Sequence, residues 1–132
     1  MKERRELRVF VADDSALARG GLIALLSRVK GIRVVGQAGD GLEATEAIAA
    51  IRPDVVVLDI HMPRRNGIEA LKIIKKEDPS PVVIMFSADE RIQTRDNCRK
   101  AGADFVFDKA SQFDELIATL KALARNGKLD QP

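Results

Sequence analysis

The chain has 132 residues, of which 45% are hydrophobic and 32% charged, and its net charge at pH 7 is +2. This composition is typical of one globular domain, and no apolar stretch approaches the roughly 20 residues that span a bilayer. The charged start lacks the apolar segment of a secretory signal, and the single cysteine excludes an intrachain disulfide, so we expect a cytoplasmic protein. The mild charge and the lack of Trp and Tyr give no sign of direct nucleic-acid binding.

Strand-like and helix-like segments alternate along the chain from residue 7 to about residue 125. In chain order the pattern predicts a strand at 7–12, a helix at 15–29, a strand at 32–38, a helix at 41–51, a strand at 53–59, a helix at 66–76, a strand at 82–86, a helix at 89–100, a strand at 103–107 and a helix at 111–127. The N-terminus before them is short and charged, and the last residues are expected to form a frayed tail.

This alternation predicts a single α/β domain with a doubly wound, five-stranded parallel sheet and five helices that cover both faces. The crossover connections are expected to be right-handed. The strands are continuously apolar, as expected where both faces of a sheet are buried. Almost no chain follows the last helix, which favours a protein that acts without an output domain.

Particular residues indicate how the helices begin and pack. The inward-facing residues of the first helix are predicted to be Leu17, Leu22, Leu25, Leu26 and Val29. Gly20 and Gly21 each cost about 1 kcal/mol relative to alanine inside a helix, which suggests close packing at that point. Asp89 or a neighbour is expected to cap the fourth helix, and Ser111 is expected to cap the fifth.

Polar side chains stand at the carboxyl ends of four predicted strands. They are Asp13 and Asp14 after the first strand, Asp59 at the end of the third, Ser87 after the fourth and Lys109 after the fifth. Because the carboxyl ends of parallel strands meet at one edge of the sheet, these groups are expected to lie together. Three carboxylates, a hydroxyl and an ammonium suit a divalent cation such as Mg²⁺ and a phosphoryl group.

Asp59 is the candidate nucleophile of this set, since a carboxylate can attack phosphorus to give an aspartyl phosphate. The cation would neutralise most of the developing charge, and Lys109 and Ser87 would add an ammonium and a hydroxyl donor. Each residue also has a purely structural alternative: Asp14 can cap a helix, Asp59 can end a strand, and Lys109 can be a surface lysine. The conjunction at four strand ends favours a site.

His61 is the only histidine, and no second imidazole or thiolate cluster accompanies it. Its side chain is therefore a poor metal ligand, whereas its backbone carbonyl, two residues beyond Asp59, is a better candidate. A Ser-His-Asp hydrolase would need a G-x-S-x-G motif, and residues 36–39 lack the third glycine of a dinucleotide-binding loop.

Several short motifs occur here in a fixed order: Asp13-Asp14, the segment from Pro53 to Pro63, Asn66-Gly67, Ser87-Ala88, Ala101-Gly102-Ala103-Asp104 and Asp108-Lys109. With this set, the chain resembles the receiver domains of bacterial two-component response regulators of the chemotaxis-regulator type, over about residues 7–125. The resemblance implies one receiver domain in residues 1–132, with a flavodoxin-like fold and the strand order 2-1-3-4-5.

The resemblance also implies a phosphorylation-activated signalling switch. Asp59 would accept a phosphoryl group from the phosphohistidine of a sensor histidine kinase or a histidine phosphotransfer protein. Mg²⁺, or Mn²⁺, would be bound directly by Asp14 and Asp59, mainly through water by Asp13, and by the backbone carbonyl of His61. Beyond its own phosphorylation and dephosphorylation, the chain is not expected to be an enzyme.

In the same resemblance, Ser87 would move toward the phosphoryl group and Lys109 would pair with it. Water would remove the phosphoryl group, and His61 and Asp89 would flank that water and tune the lifetime. The fourth helix, fifth strand and fifth helix would report the change to an unidentified protein target. The chain would be a monomer or a phosphorylation-dependent dimer, without insertion into a membrane.

Two positions depart from the pattern of the family. Val106 stands where the family usually has Tyr or Phe, so the aromatic part of the switch is not assured. Phe105 could substitute, but alternation along a strand would point it to the opposite face. Ala110 stands where many receivers have a proline after the lysine, and a cis bond there would cost about 2.5–4 kcal/mol, which predicts a different loop geometry.

Three alternatives stand beside this interpretation. A pseudo-receiver would be a constitutive protein-binding module; the complete set of polar residues argues against it, and Val106 leaves it open. A receiver fragment of a longer regulator, with a DNA-binding or an enzymatic output, is the second, although residues 126–132 lack linker character. A haloacid-dehalogenase-type phosphatase would need a second aspartate two residues after Asp59, where His61 stands.

Overall fold

The computed structural model describes residues 6–126 as a five-stranded parallel sheet in the order β2-β1-β3-β4-β5, with five helices. The elements are β1 Leu7–Ala12, α1 Ala16–Leu26, β2 Ile32–Ala38, α2 Gly41–Ile51, β3 Val55–Leu58, α3 Gly67–Ile74, β4 Val82–Ser87, α4 Ile92–Lys100, β5 Phe105–Asp108 and α5 Phe113–Arg125. The predicted flavodoxin-like fold and strand order are confirmed. Residues 1–5 and 127–132, including the predicted tail, lie outside the described part of the chain.

Two hydrophobic clusters cover the two faces of the sheet. Alternate residues of β1 point to opposite faces, so that Phe10 and Ala12 join one cluster while Val9 and Val11 join the other. The first cluster packs against α2, α3 and α4, and the second against α1 and α5. Each fully buried large apolar side chain contributes about 1.5–3 kcal/mol, so these clusters supply the main stabilisation of the sheet.

The expectation that strands are buried on both faces holds for the three inner strands. Every residue of β3 is buried, as are nearly all residues of β1 and β4. The edge strands are different, because each has only one neighbour: β2 exposes Arg33 and Gln37, and β5 exposes Phe105. Among residues 6–126, no helix has the length and apolar character needed to cross a bilayer.

The predicted inner face of α1 was wrong in part. Leu17 is 88% exposed and Leu25 is 47% exposed, whereas Leu22 and Leu26 are buried. At about 3.6 residues per turn, Leu17 lies roughly half a turn away from Leu26, so both cannot face the sheet. The suggestion of close packing at Gly20 and Gly21 was also wrong, since an added Cβ at either position would meet nothing within 4 Å.

The predicted caps of the last two helices were wrong as well. α4 begins at Ile92 after Arg91, whose side chain makes no capping bond. Asp89 lies too far upstream and instead accepts the backbone N–H of Arg91 at 3.0 Å. α5 begins after Gln112, and the Ser111 hydroxyl donates to Asp108 at 2.8 Å rather than accepting from the helix.

The fifth strand begins two residues later than predicted, at Phe105. The chain first turns at Gly102, which has a φ of +107°, and Asp104 then donates its N–H to the Val83 carbonyl at 2.9 Å. The Asp104 carboxylate accepts from the Val83 N–H and from Lys75 Nζ, both at 2.8 Å. This turn takes up the residues that the apolar pattern had assigned to the strand.

Candidate functional site

Three carboxylates meet at the carboxyl edge of the two central strands. Asp13 follows β1 and Asp59 follows β3, and the paired register of Ala12 with Leu58 places them side by side. Carboxylate oxygens of Asp13, Asp14 and Asp59 all lie within 4.8 Å of one another. Asp13 and Asp59 are buried while Asp14 is exposed, so the cluster has a solvent-facing side.

Backbone hydrogen bonds fix the two buried acids. The sheet ladder extends past the strands: the Asp13 N–H donates to Ala38 at 3.1 Å and the Asp59 N–H to Ala12 at 3.0 Å. One carboxylate oxygen of each acid is also held, by the Ser15 N–H at 2.9 Å and by the Ile60 N–H at 2.8 Å. The other oxygen of each acid, Oδ2, contacts Lys109, so a cation bound there would share these oxygens with the ammonium.

Lys109 supplies the positive charge of this cluster. Its Nζ donates to Asp13 Oδ2 at 2.5 Å and to Asp59 Oδ2 at 3.4 Å. Burial raises the pKa of Asp59 and the charge of Asp13 adds to the effect, although Lys109 opposes it. For Lys109, burial lowers the pKa of the ammonium. Its hydrogen bond to Asp13 and the charge of Asp59 outweigh this effect, so the pKa is raised. One ammonium thus faces three carboxylates, and the cluster has room for a further cation charge.

The loop after β3 packs tightly behind Asp59. The Gly67 N–H donates to the Ile60 carbonyl at 2.6 Å, and a Cβ at Gly67 would overlap the carbonyl oxygen of Asp59. Asn66 then caps α3 in a capping box with Glu69. A residue with a side chain cannot replace Gly67 without moving the backbone of Asp59, so the local sequence fixes the position of this acid.

Ser87 and Asp89 lie at the carboxyl end of β4 and are linked by a hydrogen bond. Ser87 is buried at the end of β4, and its carbonyl accepts the Lys109 N–H at 2.8 Å. The Ser87 hydroxyl accepts the Asp89 N–H at 3.1 Å. Asp89 Oδ2 contacts His61 Nε2 at 2.8 Å and Arg91 Nη2 at 2.6 Å. Hydrogen bonds from Arg91 and His61 hold the pKa of Asp89 well below its usual range.

The contact between His61 and Asp89 joins the loop after β3 to the loop after β4. The sequence suggested both residues as neighbours of the site, and the structure brings them together. The sequence gave no indication of Arg91, since an arginine two residues after an aspartate forms no recognisable motif. We name the three side chains His61, Asp89 and Arg91 the clasp.

The two residues of the proposed switch surface lie on opposite faces of β5, as alternation predicted. Val106 packs against the cluster that contains Cys98 of α4. Phe105 is 36% exposed and stacks on Phe107, with the ring centroids 5.9 Å apart. Phe105 therefore does not occupy the place of an aromatic residue at Val106. Within residues 6–126 the cis peptide bond is Asp78–Pro79, so the Lys109–Ala110 bond is trans.

These features define a flavodoxin-like α/β protein with a candidate cation site and a lysine at the carboxyl edge of its sheet. The chain belongs to the response regulator receiver domain family, whose model matches residues 9–121. Members of this family act in two-component signalling.

Individual relatives agree with this membership. The chain is 40% identical to a protein-glutamate methylesterase/protein-glutamine glutaminase of Pyrococcus abyssi, over 92% of this chain and 36% of that protein. It thus spans about a third of the length of that curated relative. The response regulator domain of Thermotoga maritima CheB is 36% identical, with a TM-score of 0.81 over 97% of this chain and all of that one. A chain of the CheX–CheY–BeF3–Mg²⁺ complex of Borrelia burgdorferi is 29% identical, with a TM-score of 0.75 over 87% and 90% of the two chains.

Proposed function

We propose that this protein is a phosphorylation-activated switch in which Asp59 accepts a phosphoryl group. The observation that carries the proposal is the buried Asp59 carboxylate, which lies within 4.8 Å of Asp13 and Asp14 oxygens and 3.4 Å from Lys109 Nζ. A carboxylate oxygen of Asp59 would attack phosphorus while the bond from phosphorus to the histidine nitrogen of the donor breaks. The products are an aspartyl phosphate and a free histidine on the kinase or phosphotransfer protein.

The residues at the edge fit a hard divalent cation. Asp13, Asp14 and Asp59 offer carboxylate oxygens, the His61 carbonyl is the proposed fourth protein ligand, and the exposed side leaves space for water and phosphoryl oxygens. When bound, Mg²⁺ or Mn²⁺ would supply charge neutralisation for the transferring group. The similarity to a structure solved with BeF3 and Mg²⁺ supports this assignment.

Lys109 would change partners when Asp59 is phosphorylated. Without a phosphoryl group, its closer contact is Asp13 Oδ2. The new group brings about −1.5 to −2 charge, so the ammonium would turn to it, and Ser87 would offer its hydroxyl from the next strand. Because the Lys109 N–H is bonded to Ser87, the two loops would move together.

The clasp is the proposed control of the lifetime of the phosphorylated state. His61 and Asp89 would flank the water that attacks phosphorus, and the hydrogen bond between them ties the loop after β3 to the loop after β4. Arg91 neutralises Asp89, so the aspartate would not act as a base toward that water. Substitution at His61 or Asp89 would therefore change the rate of dephosphorylation.

The signalling partners follow from the proposed chemistry. The donor would be a sensor histidine kinase or a histidine phosphotransfer protein, and the output would be a protein contact on α4, β5 and α5. This output requires neither direct nucleic-acid binding nor membrane insertion, and it is compatible with a monomer or a phosphorylation-dependent dimer. We propose one receiver domain in the chain, acting in the cytoplasm, with no catalysis beyond its own phosphorylation and dephosphorylation.

The second candidate is the receiver part of a methylesterase-type protein. Relatives such as the Pyrococcus abyssi protein carry that activity in their names, and the matched region is 36% of that protein. In this case phosphorylation of Asp59 would regulate a partner domain rather than a separate target. Sequencing the full reading frame around this chain distinguishes the two candidates.

Acetyl phosphate tests the proposal directly, with intact mass as the readout. We expect one added phosphoryl group that requires both Mg²⁺ and Asp59, so the Asp59→Asn variant should stay unmodified. Asp114→Asn, at an exposed carboxylate on α5, is the matched control and should be modified like the parent. No incorporation together with no Mg²⁺ binding would favour a pseudo-receiver. Mg²⁺ binding without incorporation would indicate fast dephosphorylation, which His61→Asn would slow.

A further inference from the structure

Arg19 of α1 makes two contacts that the proposed chemistry does not use. Its Nη1 donates to the backbone carbonyl of Asp13 at 2.5 Å, and its Nε donates to Gln37 Oε1 on β2 at 2.8 Å. The guanidinium passes close to Gly39, where an added Cβ would lie 3.2 Å from Nη1. The side chain thus bridges α1 and β2 and ends on the loop that carries the candidate cation ligands.

The Asp13 carbonyl belongs to the peptide that joins Asp13 to Asp14. Asp13 itself is held at its N–H and at both carboxylate oxygens, one by the Ser15 N–H and the other by Lys109. Asp14 is exposed, and within residues 6–126 its carboxylate has no hydrogen bond or ion pair. The orientation of the Asp14 side chain therefore depends on the plane of the preceding peptide, and Arg19 is the side chain that fixes this plane.

We propose that Arg19 is a positioning residue for the cation site, and that it orients Asp14 through the Asp13–Asp14 peptide. The inference rests on the proposed function of this edge. An arginine suits the task because its planar guanidinium offers donors in a rigid fork, so that Gln37 can hold one side while the other side holds the carbonyl. A lysine keeps the charge but carries all its donors on one nitrogen, so it lacks the two separate donor positions of the fork.

The hydrogen bonds of Arg19 would strengthen cation binding, whereas its positive charge would weaken it. The test must separate these two effects. A guanidinium close to a cluster of carboxylates repels a divalent cation, so deleting the charge would strengthen cation binding while deleting the hydrogen bonds would weaken it. The informative variants therefore keep the charge. Gln37→Leu removes the second anchor, and Arg19→Lys removes the fork.

The experiment measures the rate of phosphorylation by acetyl phosphate over a range of Mg²⁺ concentrations, with intact mass as the readout. Loss of one charge-assisted hydrogen bond corresponds to about a tenfold change in an equilibrium constant. We expect Gln37→Leu and Arg19→Lys to raise the half-saturating Mg²⁺ concentration about five- to tenfold. The rate at saturating Mg²⁺ should stay within about twofold of the parent, because a bound cation itself orders Asp14.

Arg28→Lys is the matched control, since Arg28 is exposed just beyond the same helix and makes no side-chain hydrogen bond within residues 6–126. It should leave the half-saturating concentration unchanged. Melting temperatures in EDTA show whether each variant is folded.

The outcomes separate this inference from the proposed function. If the parent takes up a phosphoryl group and all three variants share its half-saturating Mg²⁺ concentration, Arg19 has no positioning role. A fall in the saturating rate that follows a lowered melting temperature, without a change in Mg²⁺ dependence, would also overturn the inference and indicate a structural role alone. If the parent shows neither Mg²⁺ binding nor Mg²⁺-dependent incorporation, the proposed function fails instead.

Discussion

Asp13 and Asp59 are held by the inner strands β1 and β3, whereas Lys109 follows the edge strand β5 and Ser87 precedes the polar helix α4. We call residues 13–15 and 59–67 the acid half of the site, and residues 87–91 and 108–112 the lysine half. In the acid half, backbone hydrogen bonds hold the main chain and one oxygen of each buried carboxylate. In the lysine half, side chains make most of the connections.

The helices that follow these halves differ in the same direction. α3 begins with a capping box and buries four of its eight residues. α4 has no side-chain cap at its start, and Cys98 is its only buried residue among the nine. A helix with one buried residue can shift at small cost, because little apolar contact is lost. The difference indicates a preformed acid half and a lysine half that can respond to a new charge.

The largest expected effect is from Gly67→Ala in the acid half. A Cβ at this position would overlap the Asp59 carbonyl, so the backbone of the loop would have to move. We expect a loss of at least about 3 kcal/mol in the free energy of unfolding, the upper end for overpacking. Urea denaturation measures it. Gly20→Ala is the control, since nothing lies within 4 Å of its added Cβ, and it should raise stability by about 1 kcal/mol.

The next effect is from Lys109→Met in the lysine half. The substitution removes the ammonium from Asp13 and Asp59 and leaves two buried carboxylates side by side. We expect the free energy of unfolding in EDTA to fall by about 1–2 kcal/mol, a modest loss because the lysine is partly exposed. Part of this stability should return when Mg²⁺ replaces the missing charge. Lys121→Met, at an exposed site, should match the parent. Equal stability of both variants in EDTA would contradict a charged cluster in the acid half.

Asp59 in the acid half and Asp89 in the lysine half should make the stability of the protein depend on pH in opposite directions. Burial raises the pKa of Asp59 against the charge of Lys109, so its contribution to stability is lost as the pH rises through the raised pKa. Hydrogen bonds from Arg91 and His61 lower the pKa of Asp89, so its contribution is present above about pH 4 and is lost as the pH falls further.

Urea unfolding in EDTA from about pH 7 to about pH 3 compares Asp59→Asn and Asp89→Asn with the parent. Asp59→Asn should gain stability relative to the parent as the pH rises. Asp89→Asn should be most destabilised near neutrality and should approach the parent below about pH 4. Differences of the same sign and slope in both variants would remove the electrostatic distinction between the halves.

The smallest effect is from Gln112→Leu, which tests how α4 is tied to the loop of Lys109. Gln112 Oε1 accepts from the Asp108 N–H at 2.8 Å and from Arg95 of α4 at 2.9 Å. We expect the free energy of unfolding to fall by about 1 kcal/mol and the amide hydrogens of α4 to exchange faster. Gln93→Leu, which loses only an exposed contact with Asn97, should leave the exchange of α4 nearly unchanged.

The sequence predicts the acid half better than the lysine half for a physical reason. Apolar strands that end in aspartates fix both the strand order and the meeting of Asp13 with Asp59, because the register of a parallel sheet decides which residues are adjacent. Contacts between long polar side chains leave no periodic pattern. The clasp residue Arg91 and the bridge from Arg19 to Gln37 were therefore not predicted.

Helix faces and starts were predicted less well than strands. Residue type alone does not distinguish the exposed Leu17 from a buried leucine. Only the position of Leu17 around the axis of α1 shows that it faces away from the sheet. The predicted cap at Asp89 was wrong, and the carboxylate of this residue instead contacts His61, which lies on a distant loop. At this position a contact with a distant loop takes the place of the local cap.

Amide hydrogen exchange, read by mass spectrometry with and without acetyl phosphate and Mg²⁺, tests the central claim most directly. The account predicts altered exchange in the lysine half and α4, little change in the acid half and α3, and no change in Asp59→Asn. Changes that are equal in α3 and α4, or that persist in Asp59→Asn, would contradict it.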